Sequence, residues 1–138
     1  MRHKIDDIFH AVEILWQSNM TINLKKELMD ILIWKITESY GGKYNTKYRS
    51  EGALEIKAVK KLHHEHVFTR KEIKKGLVSA KSEGELRDIF SKVEACVVTR
   101  EEHKKLDHKL KGWKRYKEAG IKVFDVSADK PKLTKLGK

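Results

Sequence analysis

Apolar residues in the first forty positions recur at helical spacing, and this constrains the fold more than any other feature of the chain. Ile5, Ile8, Phe9, Val12, Leu15 and Trp16 recur in steps of three and four. They form one stripe on a helix over residues 4–18, with Asp6, Asp7 and Glu13 largely off it. Asn19 is the expected stop, and Thr21 or Asn23 caps a second helix. Over residues 24–40, Leu24, Leu28, Met29, Ile31, Leu32, Ile33, Trp34 and Ile36 nearly encircle that helix until Gly41-Gly42 ends it. A helix of this kind lies centrally in a core or is shared with a second copy of the chain, which makes residues 24–36 a candidate homodimer surface.

The remainder reads as helices and short strands. With one proline, Pro131, and long Leu/Ile/Lys/Glu segments, the chain is expected to be mainly helical. Residues 43–50 are a polar, basic connection in which Tyr44 and Tyr48 either stack on bases or anchor a loop to the core. Ser50 is placed to cap a helix over residues 51–61. Thr69 and Ser82, each followed three residues later by Glu72 and Glu85, predict two capped helices, one inward at Ile73 and Leu77, the other at Leu86, Ile89, Phe90 and Val93. A strand over residues 95–98 then leads through Thr99 into a helix carrying His103. A helix over residues 110–119 stops at Gly120, residues 121–126 alternate as a strand, and the basic tail from residue 127 is expected to be loose. The class is α+β in one domain of 138 residues, opened by a helical hairpin over residues 1–41.

Charge narrows the partners. The net charge is +11, and it is uneven: residues 1–41 hold 5 Lys/Arg against 6 Asp/Glu, and residues 42–138 hold 26 against 14. A basic body suits a polyanion, most simply nucleic acid and DNA first, with a lysine-rich solvated surface as the plainer alternative. One cysteine, Cys96, excludes an internal disulfide framework and points to a reducing cytoplasm. No apolar run approaches membrane-spanning length, and the first seven residues lack the apolar core of a signal peptide.

Chemistry concentrates in Leu62-His63-His64-Glu65-His66-Val67-Phe68-Thr69, with His103 about forty residues on. Phosphodiester hydrolysis needs a base near neutral pH to activate water, and a cation to absorb charge on the phosphoryl group. Glu65, His66 and His103 meet that need in kind. In an extended segment Glu65 and His66 point to opposite sides, so one can hold metal while the other aims at water.

These residues resemble the HNH (ββα-metal) nucleases. Glu65-His66-Val67 is similar to that family's acidic-His-aliphatic signature, and Val98-Thr99-Arg100-Glu101-Glu102-His103-Lys104-Lys105-Leu106 to its closing strand and helix. The likeness covers roughly residues 62–108. It implies a ββα-metal-like module over residues 50–108, and the helix and strand read from the residues themselves follow it over 109–126. It further implies a metal-dependent endonuclease with His66 as catalytic base and Glu65 and His103 as ligands of a divalent metal ion (Mg, Mn, Ni or Zn). His63, His64 and Arg100 stand beside these as candidate supports. Phe68-Thr69 occupies the place of the family's proline, and Glu94 that of its middle asparagine.

Other readings of the same residues remain. His63, His64, His66 and His103, with Cys96, could make a structural zinc site, or the histidines could simply contact phosphate. Cys96 reads as buried packing. His3 and His10 carry no motif, and His108 turns off the face of His103. Arg70, Lys71, Lys104, Lys105, Lys111, Lys114 and Arg115 are the candidate nucleic-acid contacts, with Trp113 and Tyr116 on one helical face among them. The alternatives to a nuclease are a non-catalytic nucleic-acid-binding protein and a basic module that docks on an acidic protein.

Overall fold

Five hydroxyl side chains punctuate the chain. Thr21, Ser50, Thr69, Ser82 and Thr99 each accept a hydrogen bond from the backbone N–H three residues on, satisfying a donor that helical geometry leaves free. A computed structural model describes residues 4–137, and His3 and the extreme N-terminus lie outside them. Its helices are α1 (Ile5–Gln17), α2 (Ile22–Thr37), α3 (Arg70–Ser79), α4 (Glu83–Phe90), α5 (Arg100–Lys105) and α6 (Lys114–Ala119). Its strands are β1 (Tyr48–Ser50), β2 (Leu62–His66), β3 (Ala95–Thr99), β4 (Val123–Asp125) and β5 (Lys132–Leu133). The fold is α+β and mainly helical, with a helical hairpin first.

The strands form one sheet in the order β2-β3-β1-β4-β5. Only β1 and β3 run parallel. In the β2–β3 pair Leu62 faces Thr99, His63 faces Val98 and Glu65 faces Cys96. Alternation therefore puts His63, Glu65, Cys96 and Val98 on one face of the sheet, and Leu62, His64, His66 and Val97 on the other.

Two main cores follow. Val12, Met29, Ile33, Leu77 and Leu86 fill the space among α1, α2, α3 and α4. Val67, Cys96, Val98, Leu106, Tyr116 and Val123 pack with Tyr48 between the sheet, α5 and α6. Tyr48 is thus a core anchor, its ring meeting Trp113 edge-on at 5.2 Å between centroids. Cys96 is fully buried, as expected of packing, and burial pushes its thiol pKa up. The near-encircling apolar set of α2 is not all covered: Leu24 and Ile31 stay exposed while Met29, Ile33 and Ile36 turn inward. No helix among the described residues is long and apolar enough to cross a membrane.

Three expectations are corrected. Residues 51–61 are not one helix but two 3₁₀ turns, Glu51–Ala53 and Val59–Lys61. The guanidinium of Arg49 donates to the carbonyls of Ala53 and Ile56, and Ala53 also accepts from the Ile56 N–H at 3.3 Å, a three-residue turn rather than a helical ladder. The helix expected over residues 110–119 starts only at Lys114, because Gly112 sits at φ 62°, outside helical space. The tail is not wholly loose either, since β5 pairs with β4 through Leu133 and Phe124.

The junction of β3 and α5 carries a complete capping box. Thr99 Oγ1 accepts from the Glu102 N–H at 3.0 Å, and Glu102 Oε1 accepts from the Thr99 N–H at 2.9 Å and from Ser50 Oγ at 2.5 Å. This short helix presents His103, so the cap matters to the site. Thr99→Ala is expected to cost about 1 kcal/mol and to lower the melting temperature by about 4 °C, measured by circular dichroism.

Candidate metal centre

Strand alternation, rather than adjacency in sequence, assembles the centre. His63 and Glu65 stand two apart on β2 and share a face, and α5 lays His103 over them. One ligand atom from each of the three lies within 4.8 Å of the others. The rings of His63 and His103 stack with centroids 3.8 Å apart. Glu65 Oε2 is 3.4 Å from His103 Nδ1, a buried nitrogen that finds no hydrogen-bond partner in the protein.

Glu65 is also gripped from its other side. Arg115 Nη2 approaches Glu65 Oε1 to 2.5 Å, and both side chains are only 7% exposed. The contact is an ion pair rather than an aligned hydrogen bond. The same nitrogen reaches the carbonyls of Val67 and, at 3.4 Å, of His66. Burial pushes the Glu65 carboxyl pKa up, against the opposing pull of Arg115 and His103. One carboxylate oxygen is thus held by a cation while the other faces two imidazoles, the disposition of a ligand whose orientation is fixed from behind.

His63 has its pKa lowered to about 4, first by burial and then by the neighbouring His103 and Arg100. It is therefore neutral at physiological pH, the form that donates a lone pair to a metal. Two imidazoles and a carboxylate fit a borderline divalent ion, with sites left over for water. The described residues thus suit the divalent metal that the resemblance implies, and His63 would stand beside Glu65 and His103 as a donor to it.

His66 does not join them. It lies on the opposite face of β2, edge-on to Trp34 at 4.5 Å between centroids and beside His64 at 4.9 Å. Burial, then the proximity of His64 and Arg70, lowers its pKa to about 3. An imidazole so weakly basic and so placed does not suit the role of general base for water held by the trio. His64 sits on the same face, and its Nδ1 meets the backbone carbonyl of Lys43. Arg100 is exposed, with its Nε on the carbonyl of Lys60 at 2.5 Å.

The expected nucleic-acid contacts separate into two groups. Lys71, Lys104, Lys105 and Lys114 are open to solvent, and Lys111 is too, 3.9 Å from Glu72. Arg70 spends its guanidinium on Asp30 at 2.9 Å and on the face of Trp34. Arg115 is the correction: buried against Glu65, it belongs to the centre and not to the outer surface. At the place of the family's asparagine, Glu94 accepts from Trp113 Nε1 at 2.8 Å. Two residues of the cluster thus stand elsewhere than expected, His63 among the possible donors and Arg115 behind Glu65. His63 was legible from the period of two, whereas only the fold of α6 against β2 reveals Arg115.

Comparison with protein-family models, curated proteins and solved structures found no match.

Proposed function

We propose that the chain is a metal-dependent nuclease of the ββα-metal kind, with the ion held by His63, Glu65 and His103. The observation that carries this reading is the convergence of three donors, two from the first strand of an antiparallel pair and one from the helix that follows the second, with exposed lysines around them. His63, Glu65 and His103 would hold the divalent cation, which would supply activation of water and offset charge on the phosphoryl group, chemistry that does not call on His66. Arg115 orients Glu65. Lys104 and Lys105, exposed next to His103, meet phosphates on either side of the scissile bond.

The test is nicking of supercoiled plasmid and cleavage of circular single-stranded DNA in EDTA, Mg²⁺, Mn²⁺, Ni²⁺ or Zn²⁺. Glu65→Gln and His103→Ala are expected to lower the nicking rate by at least about 100-fold. His66→Ala is expected to stay within about tenfold, short of what removing a general base costs. A second reading has its own observation: Arg115 already balances Glu65, so the pair could serve packing alone. Absence of cleavage with every metal, alongside salt-sensitive DNA binding, would establish that non-catalytic reading.

A further inference from the structure

A groove of about 610 Å³ opens on the sheet face opposite the trio, beside the start of β2. Its lining includes the cations Lys43, Arg49 and Lys57, the ring of Tyr44, and an apolar floor at Ile56 and Leu62, and no lining residue is acidic. Lys60 and Lys61 stand exposed next to it. In a chain with twenty carboxylates, a concavity lined by cations, a ring, the Asn45 amide and apolar atoms, with no carboxylate, has a definite complement. It suits an anion that also carries flat, apolar faces.

Size and anchoring sharpen this. The volume falls within the roughly 300–1,000 Å³ that encloses compact ligands, enough for an unstacked base or two. A duplex keeps its bases stacked inside and would offer only a phosphate rail. Tyr44 is half-buried against the cluster of Ala53, Leu62 and Val97, so its ring is fixed in place before anything binds. Arg49 is held by the carbonyls of Tyr44, Ala53 and Ile56, and so adds a fixed positive charge rather than a mobile contact. The other two cations are Lys57 and Lys43, whose ammonium lies 5.6 Å from the centroid of the Tyr44 ring and swings aside when a base stacks there. Leu62 lines the groove while the next residue, His63, belongs to the trio on the other face, so the two features meet across one edge strand.

We propose that this groove binds single-stranded nucleic acid, with a base on Tyr44 over the Ile56–Leu62 floor and the flanking phosphates on Lys43 and Lys57. The inference rests on the nuclease reading for its choice of polyanion, and it names unpaired strands as that site's substrate.

The test measures binding by fluorescence anisotropy in EDTA, so that cleavage plays no part, using labelled oligo-dT, oligo-rU and a duplex of matched length. The single strands are expected to bind more tightly than the duplex, and the dT and rU arms show which backbone is preferred. Lys43→Glu with Lys57→Glu should weaken single-strand binding by tenfold or more. It should also reduce the slope of log affinity against log salt by about 1.4, the share of two phosphate contacts. Lys75→Glu with Lys117→Glu, outside the groove and equal in charge change, should cost far less. Tyr44→Phe should bind as the parent does, and Tyr44→Ala should not. Equal losses in the two charge-reversed pairs, a duplex bound as tightly as the single strands, or binding of neither single strand would overturn the proposal. Nicking that persists alongside such a failure would overturn the groove but not the nuclease. Single-strand binding without nicking would do the reverse.

Discussion

Arg115→Met is expected to cost about 3–5 kcal/mol, the largest loss of any single substitution considered, and to lower the melting temperature by roughly 12–20 °C. The reason is asymmetric. Arg115 and Glu65 are each 7% exposed, so removing the guanidinium leaves a carboxylate in a place that water barely reaches. The buried carbonyls of Val67 and Gly112 lose a donor as well. Combining Arg115→Met with Glu65→Gln removes both charges, and the double variant is expected to recover much of the loss, since replacing a whole buried pair costs far less than breaking it. Thermal unfolding of the two variants decides the matter. A single variant that loses less than about 1 kcal/mol would mean that water already reaches the pair.

The second large effect concerns metal affinity. His63→Ala and His103→Ala are each expected to weaken binding of Zn²⁺ or Mn²⁺ by about 10–100-fold or more by isothermal titration calorimetry, whereas His64→Ala and His66→Ala leave it within a few-fold. The contrast separates two kinds of histidine that are neighbours along β2. His63 and Glu65 face α5, and His64 and His66 face Trp34. Equal losses across all four would place the metal elsewhere. Unchanged affinity in all four would leave the trio a stacked pair of rings beside a structural carboxylate.

Much of the scaffold was legible in the residues. The apolar periods of α1, α3 and α4 are local properties of consecutive residues, as are the caps at Thr69, Ser82 and Thr99, and the stop at Gly120. They survive folding because each element needs only one face against a core. His103 followed from the same logic, since Thr99 and Glu102 begin the helix that carries it. The period of two along β2 also separates Glu65 from His66 and, followed one step further back, places His63 with Glu65.

What the tertiary structure alone decided involves groups far apart in sequence. Arg115 looked like one more surface cation, because a basic residue between Trp113 and Tyr116 has the same local pattern whether it faces water or a carboxylate. Only the packing of α6 behind β2, fifty residues earlier, makes it the counter-charge of Glu65. β1 and β5 are too short to show a period, and they exist as strands because β3 and β4 offer them backbone partners. The helix expected over residues 51–61 is two short turns instead, and Arg49 donates to the carbonyls of Ala53 and Ile56 between them, a contact no local reading shows. Sequence therefore determined which faces of the chain are apolar, where helices begin, and which chemistry one strand can carry. The fold decided which charges are paired and buried, because pairing is a long-range contact whose energy depends on the water it excludes.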